Sequence, residues 1–353
     1  MYFLSIVDTI NMVKKVTWTQ HLTIGLFVIV GIALAVYEFQ HSRGTLETLQ
    51  IPTTLVINTD HEPIQPLPLA LDLDSDKVRL GERLYHDPRL SGDNTISCAS
   101  CHDLTKGGTD QLPVSIGIGG AIGQINAPTV FNSAFNFVQF WDGRVRTLEE
   151  QAVGPVHNPS EMGSNWQEII TKLSQDEGYQ QGFTDLYTDG ITADAIVDAI
   201  ATFERSLFTP NAPFDRYLRG EQDAMSEAAQ TGYQLFKEYG CVACHQGINI
   251  GGNMYQTLGV MEDYFKHRRI TPEDLGRYNV TGQPYNRHQF KVPTLRNIEL
   301  TFPYLHDGSA ATLEEVLKIM WNNQLGRSLN PDEAELIIEF LKTLTGEYRG
   351  EPL

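Results

Sequence analysis

The chain contains four cysteines, and their arrangement restricts what it can fold around more than any other feature. They form two pairs of one spacing, each followed at once by a histidine: Cys98-Ala99-Ser100-Cys101-His102 and Cys241-Val242-Ala243-Cys244-His245. No cysteine is left over for a disulfide framework. Cys-x-x-Cys-His is the attachment motif of c-type haem. The two thiols add to the porphyrin vinyl groups, and the next residue reaches iron, because one helical turn presents both sulfurs and the imidazole to one macrocycle. A thioredoxin-like redox pair does not require the histidine, and a zinc site would need further ligands to complete four-coordination. The sequence therefore predicts two covalently bound c-type haems, with His102 and His245 as proximal ligands.

Around these motifs the chain repeats itself. Leu80-Gly81-Glu82-Arg83-Leu84-Tyr85 precedes the first pair, and Thr231-Gly232-Tyr233-Gln234-Leu235-Phe236 precedes the second. Downstream, Ala127-Pro128-Thr129-Val130-Phe131-Asn132 matches Val292-Pro293-Thr294-Leu295-Arg296-Asn297. Trp141-Asp142-Gly143 with Thr147-Leu148-Glu149-Glu150 matches His306-Asp307-Gly308 with Thr312-Leu313-Glu314-Glu315 at the same offset (292 − 127 = 306 − 141 = 165). Two motifs in one register imply two related modules, one cysteine pair in each.

Apolar residues recur at three- and four-residue steps over Trp166 to Leu173, Ala193 to Leu207, Met225 to Tyr239, Leu313 to Trp321 and Asp332 to Leu344, which predicts helices. Gly117 to Gly123 and Gly247 to Gly252 read as loops. The expected fold is mainly α, with two cytochrome c-like haem domains behind an N-terminal membrane helix. The expected divisions are a leader and membrane helix over 1–39, a linker over 40–70, a first haem domain over 71–218 and a second over 219–353. Lys14-Lys15 followed by the apolar run Leu22 to Tyr37 suggests a signal anchor with its N-terminus in the cytoplasm. Ala33-Leu34-Ala35 also resembles a cleavage site. Either way the body is expected in the periplasm. The linker carries Pro52, Pro63, Pro66 and Pro68 and reads as extended chain. With 353 residues and a formal net charge of -18, nucleic acid is excluded as a partner, and the acidity suits a basic protein.

The sixth ligand sets what each haem does. Methionine opposite histidine closes the iron and suits electron transfer, whereas an open position admits peroxide. The residues alone leave Met254, Met261 and Met320 as candidates in the second module.

The runs Leu80 to Ser91, Phe140-Trp141-Asp142-Gly143-Arg144, Glu150-Gln151-Ala152, Glu161-Met162-Gly163, Lys291 to Asn297 and Pro303 to Gly308 closely resemble the bacterial dihaem cytochrome c peroxidases. The methylamine-utilisation maturation enzymes belong to the same superfamily. The likeness runs over roughly Leu71 to Leu344. It implies that the first haem binds hydrogen peroxide and the second receives electrons from a donor cytochrome c or copper protein. It implies that Glu161 is the distal acid/base and Gln151 its pocket companion. It places Trp141 between the haems as an electron conduit, and Met320 as the sixth ligand of the second haem, where the maturation enzymes carry tyrosine. His306 falls near that haem without being a ligand. Asn126, Thr301 and Pro303 match calcium ligands between the domains, an oxygen-rich set that suits the ion. A second copy of the chain is a further expected partner. One position departs from the family: where the loop after Ser115-Ile116-Gly117 usually offers a histidine to the first iron, this chain has Ile118. Isoleucine cannot ligate, which predicts a first haem open even when oxidised, with His157 as the rival ligand. Two other readings stay open: a maturation-type enzyme that oxidises a protein side chain, and a non-enzymatic electron carrier or sensor. Met320 opposes the first, and the Gln151–Glu161 pair opposes the second.

Overall fold

The computed structural model describes residues 62–328 and 330–353. The expected membrane helix and most of the expected linker lie outside them. Among the described residues no helix is long and apolar enough to cross a membrane.

The architecture is mainly helical. Helices α1 (Ser75–Tyr85), α2 (Cys98–Cys101), α3 (Leu148–His157), α4 (Trp166–Leu173), α5 (Glu177–Leu186) and α6 (Ala193–Ser206) come first. Then follow α7 (Pro213–Leu218), α8 (Glu227–Glu238), α9 (Tyr278–Thr281), α10 (Leu313–Ile319) and α11 (Pro331–Lys342). Among the described residues, strands are confined to two short antiparallel pairs, β1 (Tyr255–Thr257) with β2 (Gln289–Lys291), and β3 (Glu347–Tyr348) with β4 (Glu351–Pro352). Every helix expected from periodicity is present. The one over Leu313 to Trp321 changes character: its α-helical part ends at Ile319, and Met320–Leu325 continue as a π-helical turn.

Each half is built on one close helix pair with glycine at the crossing. A side chain on Gly81 of α1 would place its Cβ 2.0 Å from the Ala199 carbonyl oxygen of α6. One on Gly232 of α8 would fall 1.9 Å from the Leu336 carbonyl oxygen of α11. Only a residue without Cβ allows backbones this near. Around the first pair lies a core with Leu80, Leu84, Ile169, Leu173, Phe183, Ile196 and Ile200. Around the second lies one with Tyr233, Phe236, Trp321, Ile337, Phe340 and Leu341. Phe214 and Leu218 also belong to the second core.

The repeat seen in the sequence is reproduced in backbone geometry, residue for residue. The bridge Gln139↔Val145 recurs as Tyr304↔Ala310. Positive φ at Asn132, Phe140 and Gly143 recurs at Asn297, Leu305 and Gly308. The Thr147 cap, which accepts from Glu150 N, recurs as Thr312 and Glu315 N. Asn132 and Asn297 meet at one residue, Thr209. Asn132 Nδ2 donates to Thr209 Oγ1 at 2.9 Å and Asn297 Nδ2 does so at 3.2 Å, all three being fully buried.

The described end of the expected linker is extended but docked. Ile64 and Leu67 are each 1% exposed, and Gly247 N–H donates to the Pro63 carbonyl at 2.8 Å. Below this strap, Arg296 pairs with Asp215 in full burial and also donates to the Gln65 and Ile248 carbonyls. Apolar side chains inside this proline-rich stretch favour burial over a free spacer.

Candidate active site

Both cysteine motifs fold as one tight turn. In each, the histidine N–H donates to the carbonyl of the first cysteine, His102 to Cys98 at 3.0 Å and His245 to Cys241 at 2.9 Å. Ser97 caps the first turn through a capping box with Ser100. All four thiols are free and half-buried. Burial pushes Cys98 and Cys241 up to about 12, so both are thiols rather than thiolates. Burial also pushes both imidazoles down, His245 to about 4. They are therefore neutral, the form that binds a metal. His102 Nδ1 lies 3.4 Å from the Gly108 carbonyl, which leaves Nε2 for iron. His245 Nδ1 is buried without a hydrogen-bond partner. Free thiols beside a neutral, partly unsatisfied imidazole fit two covalent haems.

Glu161 sits in the turn that follows α3, folded back on that helix by Met162 N–H to the Pro155 carbonyl and Ser164 N–H to the Val156 carbonyl. Its Oε1 accepts from Asn158 Nδ2 at 2.6 Å. Burial raises its pKa, against smaller opposing effects of Asn158 and Arg144. Burial, and after it the charges of Asp110 and Glu161, push the Cys101 thiol up. Asn158, which orients this carboxylate, was not singled out from the sequence. It resembles any loop asparagine until the turn closes. Gln151 lies half-buried on the same helix α3, one turn before Pro155.

The loop carrying Ile118 lies against this turn. Ile118 N–H donates to the Glu161 carbonyl at 2.8 Å, and a Cβ on Gly117 would strike the Ser160 carbonyl oxygen at 2.0 Å. The isoleucine thus stands beside the candidate acid. His157 is exposed, and its ring packs edge-on to Trp166 at 5.6 Å.

Trp141 and His306 are repeat equivalents, and they touch, with ring centroids 6.4 Å apart. The indole N–H donates to the Asn126 carbonyl at 2.9 Å, and Asn126 N–H donates to the His306 carbonyl at 2.8 Å. His306 is buried, stacked on Phe290, with Nε2 2.7 Å from Asp274 Oδ1. Trp141 packs with Met320 against Leu258, Phe265 and Phe290. A tryptophan from the first repeat and the methionine of the second thereby border one small cluster. Of the other second-half methionines, Met261 is 63% exposed and Met254 half-buried. The same contact places Asn126 beside the loop holding Thr301 and Pro303, with its Nδ2 donating to the Leu112 carbonyl at 2.9 Å.

The repeat register exposes an asymmetry that the motifs alone did not. Met320 stands 165 positions after Pro155, and Val316 stands the same distance after Gln151. Where the second repeat offers a thioether, the first offers a proline ring that cannot ligate. Where the first has a carboxamide, the second has a methyl pair.

A family model described as di-haem cytochrome c peroxidase matches residues 75–223. The chain is 47% identical over 291 residues to cytochrome c551 peroxidase of Nitrosomonas europaea, covering 81% of this chain and 85% of that protein. The chain belongs to the dihaem cytochrome c peroxidase family. It is 50% identical over 289 residues to cytochrome c peroxidase Ccp of Escherichia coli strain K12, covering 82% of this chain but only 62% of that longer protein. Among solved structures it is similar to a MauG-like protein associated with microbial copper homeostasis, with TM-score 0.73, 31% identity, and coverage of 81% and 93% of the two chains. Relatives 40–50% identical to the chain are named cytochrome c peroxidases, and on that likeness the chain is a peroxidase, an oxidoreductase acting on peroxide; the dihaem family implies two c-type haems as cofactors.

Proposed function

We propose that the chain reduces hydrogen peroxide to water at the first haem, held by Cys98, Cys101 and His102. Electrons enter through a second haem held by Cys241, Cys244, His245 and Met320. When bound, the haems supply an iron that takes up peroxide and a second iron that passes electrons. The observation that carries this division is Pro155 at the repeat position of Met320. One site has a sulfur ligand on its helix and the other has none.

The chain's own residues manage protons and geometry. Glu161, raised by burial and held by Asn158, accepts a proton from the nearer peroxide oxygen and returns it to the farther one, which leaves as water. Gln151 orients the same molecule by hydrogen bonding. The balance is one peroxide, two protons and two electrons giving two waters. Trp141 bridges the halves through its contacts with His306 and the Met320 cluster, a path for charge between the sites. Ile118 leaves the first iron open in the oxidised protein, so no prior reduction is needed.

The domains divide at about Leu218. The donor is a small basic cytochrome c or a copper protein, drawn by the acidic surface. The body works in the periplasm, tethered by the apolar run within 1–39, and pairs with a second copy. Asn126, Thr301 and Pro303 hold calcium beside the Trp141 contact. The deciding experiment is stopped-flow mixing of the oxidised and the half-reduced holoprotein with peroxide. Reaction of the oxidised form at the first haem supports the scheme, and an inert first haem in both forms refutes it.

A further inference from the structure

We infer that Gln324 is a positioning residue for the second haem: its carboxamide, bonded at both ends to the 257–260 loop, fixes the π-helical turn that presents Met320. The inference rests on Met320 as the sixth ligand and adds what holds it in place.

A π turn is rare, and where it occurs it re-aims side chains at functional positions. Here the wide turn Met320–Leu325 does so visibly. Ile319 and Leu325 face the large C-terminal core, whereas Met320 faces the small cluster with Trp141, Leu258, Phe265 and Phe290. Trp321, 1% exposed and edge-on to Tyr239 at 4.9 Å, anchors the core side. The turn is closed by left-handed Gly326, whose N–H donates to the Trp321 carbonyl.

The other side of the turn is held by side-chain amides. Gln324 Oε1 accepts from Gly259 N–H at 2.8 Å and Val260 N–H at 3.0 Å, and its Nε2 donates to the Thr257 carbonyl at 3.0 Å. Its neighbour adds a second clasp. The Asn323 carbonyl accepts from Met261 N–H at 2.9 Å, and Asn323 Nδ2 donates to the Glu262 carbonyl at 3.0 Å. Gln324 is thus bonded to the loop through both ends of its carboxamide. Leu258, in the middle of that loop, packs in the same cluster as Met320. Holding the loop therefore holds the wall against which the thioether rests. The outer face of the loop exposes Val260 and Met261 at 54% and 63%.

Gln324→Ala removes three hydrogen bonds and leaves two loop N–H groups without an acceptor. The equilibrium for detachment of Met320 from iron is expected to rise by about tenfold or more. Gln324→Glu keeps the accepting oxygen but sets a carboxylate oxygen against the Thr257 carbonyl, so its effect is expected to be smaller. The test uses ferric holoprotein and follows the sulfur-to-iron charge-transfer band of methionine-ligated haem against temperature, with the second haem's midpoint potential measured alongside. The first haem's absorbance serves as the folding reference. Expected are a band in the wild type, none in Met320→Leu, and a band lost at lower temperature in Gln324→Ala than in Gln324→Glu, with a lowered potential. A Gln324→Ala band that melts like wild type, while Met320→Leu has none, overturns the positioning role alone. A band that survives in Met320→Leu overturns the ligand assignment beneath it. If Gln324→Ala fails to fold, Gln324→Glu with unaltered band and potential overturns the inference equally.

Discussion

Thr209→Val isolates the hydroxyl that joins the two repeats. Valine keeps the volume and the backbone N–H, which donates to Asn132 Oδ1 at 3.0 Å. It deletes only Oγ1, which accepts from Asn132 Nδ2 and Asn297 Nδ2 and also stands as donor 3.2 Å from Asn297 Oδ1, an oxygen that keeps Gly346 N–H. Both donors are in fully buried residues, so water cannot replace the lost partner. Stranding each costs about 1–3 kcal/mol, giving a loss of about 2–6 kcal/mol. Against a typical total of about 5–15 kcal/mol, this is a large fraction. Thr209→Ser is the control: it keeps Oγ1 and loses one buried methyl, at about 0.8 kcal/mol. Hydrophobicity alone predicts the opposite order, because valine is the more apolar of the two. The assay is guanidinium unfolding of the holoproteins followed by far-ultraviolet circular dichroism, with slopes compared as well as midpoints. A valine variant as stable as the serine variant would refute the claim that this hydroxyl staples the repeats.

Glu161→Gln is expected to lower peroxide turnover about 10²–10⁴-fold while haem content stays unchanged, measured with reduced cytochrome c as donor. Because burial raises the Glu161 pKa, the base form appears only above that raised value. Wild-type turnover should therefore fall as pH drops through it, and the glutamine variant should lack this acidic limb. Glu204 is 6% exposed with Oε2 unpartnered, and burial pushes it up to about 8. Its native state holds a proton that the unfolded chain releases near 4.5, so its stabilising contribution is complete below that value and is lost as pH rises through about 8. Glu204→Gln should flatten the stability profile between those values, and an unchanged profile in thermal unfolding would contradict this. Gly232→Ala should destabilise by several kcal/mol, because its Cβ meets backbone rather than a movable side chain. A midpoint equal to wild type in chemical denaturation would show that α8 and α11 can separate freely.

The sequence alone determined what could be bonded and what repeated. Cys-x-x-Cys-His encodes haem attachment because the reacting atoms lie within five consecutive residues, so no tertiary contact is required to read it. The 165-residue register was equally legible from motifs that recur at one offset, and the helices at Trp166 and Ala193 from local periodicity. Tertiary structure alone decided which residues meet across long separations. It turned part of an expected linker into a strap around Ile64 and Leu67. It joined Trp141 to His306, and gave Thr209 to both asparagines. It also converted the end of an ordinary amphipathic helix into a π turn at Met320, held by Gln324. A hydrogen bond between residues 324 and 259 leaves no trace in the hydrophobic pattern around either one. Its geometry exists only once both segments have packed on the same core.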